Sequence, residues 1–173
     1  TGGGSTWVTG SYDPELNIIV WGTANPGPDW DNAYRPGDNL WTDSTIAVDA
    51  DTGKFLWGFQ HTPNDPYDYD SIAENTFVDT TINGQFVRAT LHANRNGYAY
   101  ALDRSNGEFV WGTQFVKKLN WTKGLDANGR PASYDPNSDV QSYEPGTAAH
   151  RGTETEVGER SDVEGISCPA HTG

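Results

Sequence analysis

No methionine occurs in the 173 residues, and cysteine occurs once, as Cys168. A lone cysteine excludes an internal disulfide framework and every cysteine-rich metal site, although it can pair with a cysteine outside the chain. Positive charge is scarce. Eleven Lys and Arg stand against 24 Asp and Glu, for a net charge of −13. That balance argues against nucleic acid and against anionic membrane surfaces as partners. No apolar run comes near the roughly 18 residues that a membrane-spanning helix needs. No segment sustains a 3.6-residue apolar period, so helices are not expected. The histidines, His61, His92, His150 and His171, show no HxH, HxxxH or HExxH spacing, which argues against zinc. Nucleophile-elbow, Walker and dinucleotide fingerprints are absent too. The chain opens at Thr1 and stops at "CPAHTG", so it reads as an internal segment of a longer protein. The lack of a leader then carries no information.

What is present points to β-structure. Seven Trp, eight Tyr, 20 Gly and 10 Pro supply flat side chains for a core and many turns. "TWVTGSY" and "NIIVWG" flank "DPELN" and read as a hairpin; "STIAVDA" and "FLWGFQ" flank "DTG" and read as another. "QFVRATLHA" alternates, which places Val87, Ala89, Leu91 and Ala93 on one face; it leads through "NRNG" to "YAYALD" and "EFVWGTQ". One repeat is visible. "IAVDADTGKFLWGFQ" (46–60) aligns without gaps to "YALDRSNGEFVWGTQ" (100–114), with seven identities in fifteen at an offset of 54 residues. A period of that size built from short strands is a propeller blade. Trp57 and Trp111 recur in it and read as packing residues. The segment 131–165 reads as a loop-rich insertion.

Three stretches are not explained by the repeat. "GGGSTW" (2–7) is either a platform on which Trp7 stacks a flat ligand or a tight turn with a core tryptophan. Asn25, directly after a strong strand, offers a neutral oxygen to a hard cation or simply opens an Asn-Pro turn. In the loop that follows, Arg35 and Asp38 read as a local pair. In "TPNDPYDYDS", Asp65 is a turn residue. Asp68 and Asp70 share one side if the backbone is extended, and two carboxylates there suggest a cation; the alternative is a solvated acidic loop. "NWT" (120–122) fits a glycosylation sequon, a triplet common by chance.

Taken in order and spacing, "GGGSTW", "GTANP", "RPGDN", "ADTGK", "TPNDPYDYD", "HANRNG", "LDRSNG" and the terminal "CP" resemble the pyrroloquinoline quinone (PQQ)-dependent alcohol dehydrogenases, the methanol and ethanol dehydrogenases among them. The resemblance covers nearly the whole chain and is weakest over 130–165. It implies an all-β fold: part of an eight-bladed β-propeller with tryptophan-docking motifs, roughly three blades at about 50 residues each. It implies that Trp7 floors the PQQ ring, Ser5 binds a PQQ carboxylate and Arg95 contacts the quinone oxygens. Asn25 and Asp70 would hold the metal, and Asp68 would be both metal neighbour and catalytic base. Asp70 matches the extra aspartate of lanthanide-dependent members, and a trivalent ion suits a second carboxylate; calcium is the alternative. The implied activity is periplasmic oxidation of a primary alcohol, with hydride passing to PQQ and electrons leaving to cytochrome c. The resemblance is also compatible with a homodimer. Ala24 departs from the family's usual glycine. The family's glutamate ligand, vicinal cysteine pair and part of the PQQ pocket would lie upstream, so the segment alone is expected to be inactive. Two competing readings are a non-catalytic propeller scaffold for protein binding and a PQQ sugar dehydrogenase. A scaffold needs the Trp/Gly repeat but not Trp7, Asn25, Asp68, Asp70 and Arg95 together.

Overall fold

The computed structural model describes residues 2–82, 84–117 and 119–138. Ten strands follow in order: β1 (Gly2–Gly3), β2 (Ser11–Asp13), β3 (Ile18–Gly22), β4 (Pro26–Gly27), β5 (Ser44–Asp49), β6 (Phe55–Gln60), β7 (Thr76–Ile82), β8 (Gln85–Ala93), β9 (Tyr98–Asp103) and β10 (Phe109–Gln114). One 3-10 turn, Asn32–Tyr34, is the only helical element among the described residues. No helix among them is long and apolar enough to cross a membrane. The strands form two four-stranded antiparallel meanders, β2-β3-β5-β6 and β7-β8-β9-β10, with β1 and β4 as a separate small pair. This is the blade architecture that the repeat implies. The rest of the 131–165 segment beyond residue 138 lies outside the described residues, as do His150, Cys168 and His171.

The repeat is local turn chemistry written twice. Asp49 accepts from the amide and hydroxyl of Thr52, and Asp103 accepts from the amide and hydroxyl of Ser105. The amides of Gly53 and Gly107 close the two turns onto the carbonyls of Asp49 and Asp103, both glycines at positive φ. A register shift falls at the same place in both hairpins, between Phe55 and Trp57 and between Phe109 and Trp111.

The second copy also receives the first. Trp57 is buried, and its Nε1 donates to the Arg104 carbonyl at 3.1 Å. Its ring lies on Gly107, where a Cβ would meet ring carbon at 2.6 Å. Only glycine satisfies both the φ of +79° and that contact. Trp57 packs with Ile18, Val20, Ala47 and Leu102, so the core lies between the sheets. Trp111, its repeat equivalent, is 46% exposed. No following sheet among the described residues covers it.

Charge also joins the sheets. Arg104, just after β9, pairs with Asp13 at the end of β2 and with Asp79 of β7 at 2.7 Å. Its guanidinium lies over Phe77, 5.0 Å from the ring centre. Arg104 and Asp13 are both buried. Burial alone would raise the Asp13 pKa. The hydrogen bonds from Arg104, Leu16 and Glu15 outweigh it and hold the carboxyl below its usual value.

One expectation, the Arg35–Asp38 pair, needs correction. On β8, Val87 and Ala89 are buried but Leu91 and Ala93 are exposed, while Thr90 and His92 are buried. The regular pairing of β8 keeps Val87, Ala89, Leu91 and Ala93 on one face, covered over its first half and open over its second. Arg35 does not pair with Asp38. Arg35 is buried and bonds to carbonyls and amides, whereas Asp38 pairs with Arg130 at 3.0 Å. In the "NWT" triplet, Trp121 is buried in an aromatic cluster with Tyr69, Tyr98 and Tyr100, and Thr122 is buried as well.

Candidate functional site

The unexplained stretches converge at one end of the sheets. Asn25 follows β3, the segment 61–75 connects β6 to β7, and Arg95 sits in the β8–β9 turn. Three contacts fasten these together. Thr23 bridges to Ser71. Asn94 donates to the Ser71 hydroxyl at 2.7 Å. Asp70 accepts from the Asn25 amide through Oδ1 at 3.1 Å and from Arg95 Nη1 through Oδ2 at 3.1 Å. Asp70 and Arg95 are 14% and 15% exposed, so the pair is partly shielded yet open on one side. Residues 25, 70 and 95 thus meet although they are far apart in sequence.

Each side chain is aimed by its own loop. The "NRNG" turn closes when Asn94 accepts from the Asn96 amide at 2.9 Å and Gly97 donates to the Asn94 carbonyl at 3.0 Å. Asn96 in turn receives the Tyr98 amide and donates to the Tyr100 hydroxyl. Arg95, between the two asparagines, turns its guanidinium to Asp70. Its Nη2 is buried with no hydrogen-bond partner among the described residues. A buried guanidinium nitrogen without an acceptor is costly, and an incoming oxygen would satisfy it.

The loop that carries Asp68 and Asp70 is not extended. Both residues have left-handed backbones, with φ of +62° and +50°, and Asn64 has +51°. Asn and Asp tolerate that region better than other side chains. These residues therefore answer a backbone demand as well as any chemical one. The one-sided placement expected from strand alternation does not arise that way. Tyr69 between them is buried, and the two aspartates are half-buried. Asp65 shapes the loop from beneath. It is fully buried, and its two oxygens accept the amides of Tyr67 and Tyr69 at 2.8 and 2.7 Å.

The "GGGSTW" stretch runs beside Asn25. Gly4 donates to the Asn25 carbonyl at 2.8 Å, and Ala24 donates to the Ser5 carbonyl at 2.9 Å. Gly3 has φ of +91°, and a Cβ there would come within 2.4 Å of the Asn25 oxygen, so the approach requires glycine. Ser5 is exposed. Trp7 is 61% exposed, so it is not a core tryptophan. The Asn25 Nδ2 donates to the Pro26 carbonyl at 3.1 Å, which leaves Oδ1 as the end free to face a cation.

Beneath the site lies a polar core that the sequence did not announce. His61 and His92 stack with ring centres 4.7 Å apart, both buried. Thr45 contacts His61 Nε2 at 2.9 Å and Asn94 contacts His92 Nε2 at 3.1 Å. Asp43, also buried, accepts from the Ser71 amide and hydroxyl. Burial, followed by the charge of Asp65, drives Asp43 well above the usual carboxylate range, and burial lifts Asp65 to about 6.

Burial also pushes His92 down to about 4, and burial with the His92 charge pushes His61 well below its ordinary value. Between pH 6.5 and 4 the unfolded chain takes up a proton at His92 that the folded chain refuses. Stability therefore falls on acidification, by about 1.4 kcal/mol per pH unit for one such group. Asp43 and Asp65 act in the opposite sense, so a variant is needed to isolate the histidine. In denaturant titrations of the full-length protein, the stability advantage of wild type over His92→Gln should shrink by up to about 1.4 kcal/mol per unit from pH 6.5 to 4. A difference constant with pH would show that His92 is not held neutral by burial.

The donor set suits hard ligands. Of the residues brought together, the Asp70 carboxylate and the Asn25 side-chain oxygen are calcium- or lanthanide-type donors. The unsatisfied Arg95 nitrogen and the open face of Trp7 suit a planar, oxygen-rich molecule. The family described as "PQQ: Glucose/ethanol/alcohol dehydrogenase, beta-propeller domain" matches residues 1–119. The quinoprotein alcohol dehydrogenase PedH of Pseudomonas putida is 46% identical over 135 residues, which is 78% of this chain and 22% of that protein. A lanthanide-dependent methanol dehydrogenase of Methylorubrum extorquens is 36% identical over 173 residues, all of this chain and 27% of that protein. Among solved structures, a europium-containing methanol dehydrogenase superposes with a TM-score of 0.71 at 41% identity, covering 76% of this chain and 23% of that one. The chain spans about a quarter of the length of these curated relatives. On the profile match and on this shared fold, the chain belongs to the PQQ-dependent glucose, ethanol and alcohol dehydrogenase β-propeller family.

Proposed function

We propose that this chain forms part of the active site of a PQQ-dependent alcohol dehydrogenase that uses a trivalent lanthanide ion. The observation that carries the reading is Asp70 held between the Asn25 amide and Arg95, which gathers residues of three separate loops around one open corner. A protein-binding scaffold has no use for a buried guanidinium nitrogen that lacks an acceptor.

In this reading Asn25, Asp68 and Asp70 supply the oxygens for the cation, and Asp70 adds the charge that a trivalent ion calls for. Trp7 stacks against the cofactor ring, Ser5 binds one of its carboxylates, and Arg95 donates to its quinone oxygens. Bound there, PQQ would supply the hydride acceptor for the alcohol carbon and the cation a Lewis acid. Asp68 accepts the hydroxyl proton of the alcohol. Tyr69, between Asp68 and Asp70 in sequence, is buried with Tyr98, Tyr100 and Trp121 in one aromatic layer. The substrate is a primary alcohol of the methanol or ethanol class. The protein works in the periplasm and passes electrons to cytochrome c, for which the net charge of −13 is a suitable counterpart to a basic acceptor. A homodimer is compatible with this reading.

The test is dye-linked alcohol oxidation by the full-length protein, reconstituted with PQQ and with either La³⁺ or Ca²⁺. Turnover that requires PQQ and one of the two metals is expected. No turnover with either metal would overturn the enzyme reading.

A further inference from the structure

Arg35 is the largest fully buried side chain among the described residues, 1% exposed, and no carboxylate is among its hydrogen-bond partners there. Its Nε donates to the Pro28 carbonyl at 2.7 Å. Nη2 donates to the carbonyls of Asp29 and Asp65, at 2.8 and 2.7 Å. Nη1 donates to the side-chain oxygens of Asn39 and Asn64, at 2.9 and 3.4 Å. Burying a cation away from a direct partner is expensive. A surface turn does not need it. The acceptors come from two segments that matter: Pro28 and Asp29 follow Asn25, and Asn64 and Asp65 precede Asp68.

The connection continues through Asp65. Its carbonyl takes Arg35, and its carboxylate takes the amides of Tyr67 and Tyr69, each directly before one of the two aspartates. Asn64 adds a return contact, donating to the Arg35 carbonyl at 3.0 Å. One rigid fork therefore sets how far the Asn25 loop stands from the Asp68–Asp70 loop. A lysine ammonium keeps the charge but lacks the planar fork that reaches five acceptors at once.

We propose that Arg35 is a positioning residue that fixes the spacing between Asn25 and the Asp68/Asp70 pair, and so sets the affinity and ion-size preference of the cation site. This rests on the cation reading above.

The experiment titrates Eu³⁺ into the metal-free full-length protein and reads luminescence intensity and lifetime, the lifetime giving the number of bound waters. Wild type, Arg35→Lys, Asn39→Gly and Asp70→Ala are compared, with La³⁺ and Lu³⁺ as competitors. Arg35→Lys should weaken Eu³⁺ by about 10- to 100-fold, the range typical of residues that orient metal ligands. It should also raise the bound-water count and flatten the preference between La³⁺ and Lu³⁺. General destabilisation without repositioning would leave the water count and the size preference unchanged. Asn39→Gly removes one of the fork's acceptors at a residue with φ of +57°, where glycine is tolerated. It should give a smaller change of the same kind, and it decides the matter if Arg35→Lys does not fold. Eu³⁺ binding that depends on Asp70 but is the same in Asn39→Gly and Arg35→Lys as in wild type would overturn the role of Arg35. Eu³⁺ binding that is absent, or indifferent to Asp70→Ala, would instead overturn the cation reading itself.

Discussion

Replacing Asp68 with asparagine is expected to lower kcat for a primary alcohol by about 10²- to 10⁴-fold, the usual worth of a positioned general base. Asparagine preserves the shape and one oxygen, and it tolerates the φ of +62° at this position. The loop is therefore expected to fold as before. What disappears is the ability to take the alcohol proton. The measurement is steady-state oxidation together with the PQQ and metal content of the purified variant. A collapse of kcat with cofactor and metal retained assigns Asp68 to proton transfer. Loss of the metal along with the rate would make Asp68 chiefly a ligand, and an unchanged kcat would remove it from the chemistry altogether.

The second large effect concerns stability rather than rate. Arg104→Ala should cost about 3–5 kcal/mol, because it leaves Asp13 buried with its charge unmatched. It also removes the Asp79 contact and the guanidinium over Phe77, so the joint between the sheets loses its charged bolt. Urea denaturation of the full-length protein reads this directly. Replacing the pair together, as Arg104→Met with Asp13→Leu, should recover much of the loss, since apolar substitutes for a buried ion pair are often neutral. A single variant within about 0.5 kcal/mol of wild type would show that the pair does not join the sheets.

The parts of the fold that were legible in the sequence are those decided within a few residues. Asp49, Thr52 and Gly53 make one turn, and Asp103, Ser105 and Gly107 make the same turn again. The repeated tryptophan then required a repeated landing place, and Trp57 does lie on Gly107. The parts that were not legible depend on partners far along the chain. Arg35 reads as a mate for Asp38, three residues away, but its acceptors include the Asp65 carbonyl, 30 residues on. His61 and His92 carry no metal-type spacing, yet two sheets bring their rings into stacking contact. The candidate site shows both limits in one loop. The clustered aspartates drew attention, and Asp70 does meet Asn25 and Arg95. The left-handed backbone at residues 68 and 70 has no signature in alternation, because Asp is chosen there partly for its tolerance of positive φ.

Asp70 is where the account is most exposed, since the choice of a trivalent ion depends on it. The direct measurement is alcohol turnover by the PQQ-loaded full-length enzyme with La³⁺ and with Ca²⁺, in wild type and in Asp70→Ala. The account predicts that wild type turns over with La³⁺, and that Asp70→Ala loses La³⁺-supported turnover far more than any supported by Ca²⁺. Wild-type activity with Ca²⁺ alone, or equal losses with the two metals, would contradict it.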